Sequence, residues 1–530
     1  MSGRRVLALY AMILLGFAVV LCRLYLLAQN GVYASRTEAQ STVTLDLPAR
    51  RGNFYDHNGL LLTGLEPRWM VLCFPGENNY ARLYSYADAA GQTLLYRNRN
   101  RAAPFLLELT QAPGGQNLRY GTVQRYATVP LCQHLIGSID SEGCGTAGLE
   151  KALDAVLAGT GAHDVLKCAV TAQGRLRAGE SVELIRHDSG AAGVQLTICR
   201  PIQRAAEAVA ADMMSSGCIL VLDTETAAVR ACVSVPGYDP QDPAASLDAP
   251  DSPFLNRTLE SYAVGSVFKP VLAAAALEQG ILPEYECTGA VTVDGRIFRC
   301  AGGVPHGTVD LTGALEKSCN GYFIRLGQQL GAETLLHTAR QFGFGQETPV
   351  AGTLRADPGQ LPAGAELEQS GQLANFSFGQ GSLLASPVQA AAMMNTIACG
   401  GVYRTPSFAE CTLDETDGTP LEILAHPQAR RVMTGQNAAA LRGMLERVVA
   451  EGTGQDAADL TGGAGGKTGT AQTGQFAPDG EERKNLWFAG FYPAGNPRWT
   501  VVVLQDGQTE TACSSAAIFA RLCTALQFLT

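Results

Sequence analysis

"AVGSVFKP", residues Ala263 to Pro270, sets a serine three places ahead of a lysine in a chain of 530 residues whose only lysines are at 151, 167, 269, 317, 467 and 484. Ser266 follows a glycine and precedes the apolar run "PVLAAAALEQG", which puts it at or near a helix N-terminus. There the orphan N–H groups and the helix dipole favour a developing negative charge. Lys269 stands one turn further along the same face. A serine hydroxyl is a weak nucleophile until a neighbouring base takes its proton, and a lysine can be that base when burial or a second cation depresses its pKa. Taken alone, so short a pattern favours the plainer reading, an N-cap serine beside a solvated lysine.

Two further stretches shift the balance. "KSCNGYF" carries Ser318 and Asn320 on a turn between helical segments, where a hydroxyl and a carboxamide can both reach one pocket. "GGKTGTAQT" brings Lys467, Thr468, Gly469 and Thr470 out of a glycine-rich lead into a strand, and a glycine inside a strand usually marks the close approach of another backbone. Each stretch alone reads as an ordinary turn or strand. Together they engage two of the six lysines in a fixed order along the chain.

The chain is too long for one ordinary core. Its net charge of −10 and the lack of a basic stripe argue against nucleic acid as a partner. From Val6 to Cys22 there is no charged or strongly polar residue, long enough to predict an uncleaved membrane anchor over 6–27, with a tail at 1–5. Arg4 and Arg5 on the short side place that tail in the cytoplasm and the remainder outside it. The 15 cysteines are scattered, with no C-x-x-C pair, and the seven histidines form no metal motif, so neither a metal nor a cofactor is expected. Cys287 and Cys300 flank a hairpin-like "TGAVTVDGRIFR" that can bring the two thiols close, and whether they pair is left open.

Beyond the anchor, residues 28–193 mix short alternating runs with turn clusters such as "DHNG" and "TQAPGGQN", as in an irregular α/β module. From residue 194 the pattern sharpens. A helix opens near Pro201, "GCILVLDTETAAVRACVSV" gives two strands joined by a turn, and Ala-rich helices open with proline and close with glycine. The end of the chain gives three successive strands, "KTGTAQT", "LWFAGFYP" and "RWTVVVLQ". The expected class is α+β, an antiparallel sheet covered by helices.

On "SVFK", "SCN" and "KTGT" the chain resembles the penicillin-binding proteins, serine D,D-transpeptidases with S-x-x-K, S-x-N and K-T-G signatures. "ARRGNFYDHNG", Ala49 to Gly59, resembles the element that opens the extracytoplasmic part of class B members, and "VQLTICRPIQRAAE" their helix lead-in, with Cys199 where aspartate is usual. The resemblance implies an anchored protein with a pedestal domain at 28–193 and a β-lactamase-like transpeptidase domain at 194–530. It implies that Ser266 attacks D-Ala-D-Ala stem peptides of peptidoglycan, with Lys269 as base helped by the cation of Lys467. Ser318 would relay protons, Asn320 would hold the substrate amide, and Thr468, Gly469 and Thr470 would form the substrate-binding strand. It also implies acylation by β-lactams and, since no glycosyltransferase-like module is seen, a membrane glycosyltransferase as partner. Val264 stands where the family often has proline. The competing readings are a β-lactam hydrolase, with Glu366 or Glu368 as the base for water, and a non-catalytic sensor or scaffold of the same fold.

Overall fold

The structure is a computed structural model that describes residues 3–29, 41–114, 119–425 and 428–529. The first two residues of the expected tail and part of the "TQAPGGQN" turn cluster lie outside the described residues. Helix α1, Gly3–Gln29, buries none of its residues, and its most apolar window has a mean hydropathy of 2.4. At 1.5 Å per residue, its 27 residues extend about 40 Å, more than the roughly 30 Å hydrocarbon core of a bilayer. Among the described residues it is the one helix long and apolar enough to cross a membrane.

The chain divides into two compact units. The first comprises residues 1–50, 66–125 and 160–190. It holds a three-stranded antiparallel sheet, Glu66–Cys73 between Phe105–Leu109 and Arg119–Gln124, whose apolar face (Val71, Cys73, Leu107, Leu109) is closed by Leu83 and Leu95. The second comprises 51–65, 126–159 and 191–530, so two segments that precede residue 193 belong with the C-terminal region. One of them carries the "RGNFYDHNG" element. Arg51 there is held by Glu150 at 2.7 Å and Asp154 at 2.8 Å, and it also donates to the carbonyls of Gly143 and Glu150. Asp56 is wholly buried, folds its own turn by accepting from the amides of Asn58 and Leu60, and accepts from Arg200 N at 3.1 Å. That last bond matters because helix α2, Arg200–Met213, begins at Cys199, whose thiol makes no capping hydrogen bond. Asp56 thus satisfies, from a distant segment, the amide of the first helical residue, one of the donors that a helix start leaves without an intrahelical partner.

The core of the second unit is a five-stranded antiparallel sheet of β1 (Gly217–Asp223), β2 (Val229–Val235), β3 (Gly465–Phe476), β4 (Glu482–Tyr492) and β5 (Trp499–Gln508), in the order β2-β1-β5-β4-β3. Strands β1 and β5 read as continuous apolar runs because helices cover both faces. Cys218, Leu220, Leu222, Val502 and Leu504 point into one core, Ile219, Val221, Val501 and Val503 into the other, as the two-residue period of a strand requires. The longer helices around the sheet are α3 (Lys269–Gln279), α4 (Asn320–Gln341, interrupted at Gly331), α5 (Pro387–Ala398), α6 (Gly435–Ala450) and α7 (Ser515–Leu526). The predicted punctuation holds. Pro270 sits in the first turn of α3 and Gly280 closes it in the left-handed conformation, while Ser386 and Gln389 form a capping box on α5. Helix α3 is buried from Lys269 through Ala276, so its N-terminus is fixed from all sides.

Candidate active site

Ser266 lies on a single 3-10 turn, Gly265–Phe268, that runs directly into α3, and it is half-buried. The turn is held by close backbone approach. Gly265 has φ +61°, its N–H donates to Gly379 O at 2.9 Å, and a Cβ on it would lie 2.6 Å from Thr470 O. Only glycine satisfies both the left-handed backbone and the missing space.

Lys269 follows one turn later and is completely buried. Its Nζ donates to Ser318 O at 2.8 Å, Ser318 Oγ at 3.0 Å and Asn320 Oδ1 at 2.7 Å, and stands 5.5 Å from the Phe323 ring centroid. The first two stretches that the sequence singles out thus meet at one ammonium group. Ser318 reaches it from a left-handed backbone position, φ +51°, between the short helix Leu311–Glu316 and α4. For a non-glycine residue that conformation costs about 1–2 kcal/mol. The local fold compensates with bonds from Ser318 N to Leu315 O and from Cys319 N to Ala314 O. Asn320 is oriented at both ends of its carboxamide, because Nδ2 donates to Arg299 O at 2.9 Å while Oδ1 faces Lys269.

Burial dominates the electrostatics. It pushes the Lys269 pKa down to about 7, opposed by negative charge on the nearby Cys319 and Cys300 sulfurs. Lys467, also completely buried, is lowered well below its ordinary value by burial and then by repulsion from Lys269. Two ammonium groups so placed oppose each other's ionisation, so a neutral Lys269 is the state in which Lys467 most readily holds a proton.

The third stretch forms the start of β3. Lys467 Nζ donates to Thr468 O at 3.1 Å and approaches Thr468 Oγ1 at 3.4 Å, and Thr468 shares a 2.7 Å hydrogen bond with Thr453. A Cβ on Gly469 would stand 2.8 Å from Val267 Cγ2 and 2.9 Å from Val264 O, so this glycine lets the strand lie against the turn that carries Ser266. Burial alternates along the strand, with Lys467 and Gly469 inside, Thr468 half-buried and Thr470 exposed. Among the described residues β3 pairs in the central sheet with β4 alone, which leaves its outer edge of N–H and C=O groups beside Ser266 for an extended peptide to pair with.

All eight residues singled out in the sequence therefore belong to one neighbourhood. Sequence reasoning did not find Thr453 or the Arg299 carbonyl, which acts through its backbone and leaves no residue signature. Gly379 was visible only as one glycine of "FGQG". Of the two carboxylates considered for water activation, Glu366 accepts from Ser382 Oγ at 2.8 Å and Glu368 is exposed.

Comparison with known proteins agrees with this geometry. Residues 217–524 match the family described as the penicillin binding protein transpeptidase domain. The peptidoglycan D,D-transpeptidase PbpA of Mycolicibacterium smegmatis is 30% identical over 444 residues, which cover 77% of this chain and 85% of that protein. The crystal structure of penicillin-binding protein 3 from Mycobacterium tuberculosis complexed with aztreonam matches with a TM-score of 0.66 at 26% identity, covering 92% of this chain and 97% of that one. One chain of a structure described as the coordination of polymerization and crosslinking by a peptidoglycan synthase complex shares the fold with a TM-score of 0.70 at 24% identity, over 100% of this chain and 99% of that one.

Proposed function

The chain belongs to the class B penicillin-binding proteins, which are peptidoglycan D,D-transpeptidases, and from that premise we propose that Ser266 is the residue that carries the acyl group. Neutral Lys269 takes the Ser266 proton as the hydroxyl attacks the penultimate D-Ala carbonyl of a stem peptide. The N–H groups of Ser266 and Thr470 receive the oxyanion, one at the head of α3 and the other on the strand that Gly469 holds against it. Ser318, bonded to Lys269, passes a proton to the leaving amine of the terminal D-Ala, and Asn320 holds the substrate amide. The hydroxyls of Thr468 and Thr470 bind the terminal carboxylate, with the charge of Lys467 behind them. An amine from a neighbouring stem peptide then attacks the acyl-enzyme and completes the cross-link. A β-lactam enters by the same first step and leaves Ser266 acylated.

One observation carries this reading: a fully buried lysine, one turn after the serine, whose Nζ lies within 3.0 Å of both Ser318 and Asn320. Helix α1 serves as the single-pass anchor, with Arg4 and Arg5 on the cytoplasmic side and the rest of the chain outside. Residues 194–530 carry the transpeptidase domain and 28–193 the pedestal, except that 51–65 and 126–159 fold into the same compact unit as the C-terminal region, and a membrane glycosyltransferase is the partner that makes the glycan strands to be cross-linked. The polymerization and crosslinking ascribed to the similar synthase complex support that partnership. The experiment is labelling of the full-length protein with a fluorescent penicillin, beside Ser266→Ala. A stable adduct that the substitution abolishes is expected. Absence of an adduct in the wild type would overturn the assignment, and rapid release of hydrolysed drug would replace it with a hydrolase.

A further inference from the structure

Three cysteines and a histidine converge directly behind the second motif. Cys287 ends a short strand, Tyr285–Cys287, paired with Gly307–Val309, and His306 immediately precedes that partner. Cys300 follows the hairpin of Ala290–Val293 and Arg296–Arg299, whose Asp294-Gly295 turn has positive φ at both residues. Cys319 is the residue between Ser318 and Asn320 and the N-cap of α4. The four donor atoms lie within 4.8 Å of one another. Cys287 Sγ is 3.7 Å from Cys300 Sγ and 3.4 Å from His306 Nδ1, and Cys300 Sγ is 3.9 Å from Cys319 Sγ.

Those spacings fit a four-ligand metal site. With metal–sulfur bonds of about 2.3 Å and a metal–nitrogen bond of about 2.0–2.1 Å, a tetrahedral zinc site has sulfur–sulfur edges of about 3.8 Å and sulfur–nitrogen edges of about 3.6 Å. A disulfide needs about 2.05 Å and consumes two of the three thiols, leaving the third thiol and the imidazole unexplained. All three cysteines are free and at most 4% exposed, while His306 is partly exposed and gives an ion a route in. The surroundings suit a thiolate ligand: Tyr322 N donates to Cys319 Sγ at 3.5 Å. His306 N donates to Cys287 O at 3.1 Å and Cys300 N to Gly289 O at 3.0 Å, fixing the two loops that present the ligands.

We propose that Cys287, Cys300, His306 and Cys319 form a structural zinc site. Three thiols lose their protons to give thiolates, neutral His306 binds through Nδ1, and no electron is transferred. Four protein ligands complete the tetrahedron and leave no open position, so the ion has a structural and not a Lewis-acid role. Because Cys319 is bracketed by Ser318 and Asn320, the ion would tie the two-stranded ribbon and the hairpin to the turn that meets Lys269, making these four positioning residues.

The test uses the full-length chain in detergent, purified with reductant and without chelator, and measures metal content and X-ray absorption. About one zinc per chain in a shell of three sulfurs and one nitrogen is expected. Cys287→Ser combined with Cys300→Ser should lower occupancy at least tenfold, whereas Cys144→Ser, at an exposed cysteine elsewhere, should leave it unchanged. Should the double variant misfold, cobalt(II) loaded into chelator-treated wild type decides the matter, since thiolate-to-cobalt charge-transfer bands support the site and their absence overturns it. Wild type that takes up no zinc, a Cys287–Cys300 disulfide in protein alkylated on extraction, or unchanged zinc in the folded double variant would each overturn it as well. None of these readouts depends on transpeptidase activity.

Discussion

If neutral Lys269 is the base, the rate of acylation by a β-lactam must follow its deprotonation. Burial brings the Lys269 pKa from the ordinary 10.5 down to about 7. The neutral fraction is then about 1% near pH 5, about half near pH 7 and about nine-tenths near pH 8, so the second-order acylation rate should rise roughly 90-fold from about pH 5 to 8 and then level off. A lysine at its ordinary pKa would instead give a rate that keeps climbing about tenfold per pH unit through about pH 9. The assay is stopped-flow acylation of the full-length protein by a chromogenic cephalosporin at limiting drug, so that the profile reports the free enzyme. Asn320→Ala removes the acceptor 2.7 Å from Nζ, which favours the ammonium form, so the inflection should move to lower pH even though the rate itself falls. Continued climb beyond about pH 9, or a flat profile from about pH 5 to 8, would refute Lys269 as the base.

Gly469→Ala puts a methyl group 2.8 Å from Val267 Cγ2 and 2.9 Å from Val264 O, so β3 must move away from the Ser266 turn. A stability loss of about 1–3 kcal/mol in urea titration and a much larger proportional loss in acylation rate are expected. Arg51→Ala takes the guanidinium away from Glu150, which is 0% exposed, and should cost about 3–5 kcal/mol by the same measurement. His134 is buried against Pro253 O at 2.7 Å, and burial lowers its pKa to about 4, so the folded state binds fewer protons than the unfolded state between that value and the ordinary 6.5. Stability should therefore fall as the pH drops through that window, by about 3 kcal/mol in total, and His134→Asn should flatten this part of the pH dependence in denaturation midpoints.

The central sheet and the helices around it were legible because their signals are local. Apolar runs such as "WTVVVL" make strands buried on both faces, and the proline and glycine that bound α3 act within one turn. The Asp294-Gly295 hairpin was readable for the same reason, since few residue pairs accept positive φ at both turn positions. The motif residues were legible one by one, but not the contact that unites them, because Lys269 meets acceptors 49 and 51 residues away. The grouping of 51–65 and 126–159 with the C-terminal region depends on Arg51, Glu150 and Asp56 finding partners far along the chain, which no periodicity announces. Of the proposed zinc ligands, Cys287 and Cys300 were legible only as two thiols that a hairpin can bring close; His306 and Cys319 were not, because the spacing C-x12-C-x5-H-x12-C is set by a ribbon and a hairpin and not by one short motif. Val264, unusual at its place in the resemblance, is a wholly buried residue with an ordinary αR backbone, so its apolar side chain serves the core.

The claim on which the rest depends is that Ser266 forms the acyl-enzyme. Peptide mapping by mass spectrometry of the full-length protein after brief exposure to penicillin tests it most directly. The account predicts one penicilloyl group, on the peptide that carries Ser266 and localised to that residue by fragmentation. An adduct on Ser318 or elsewhere, with Ser266 unmodified, would contradict it.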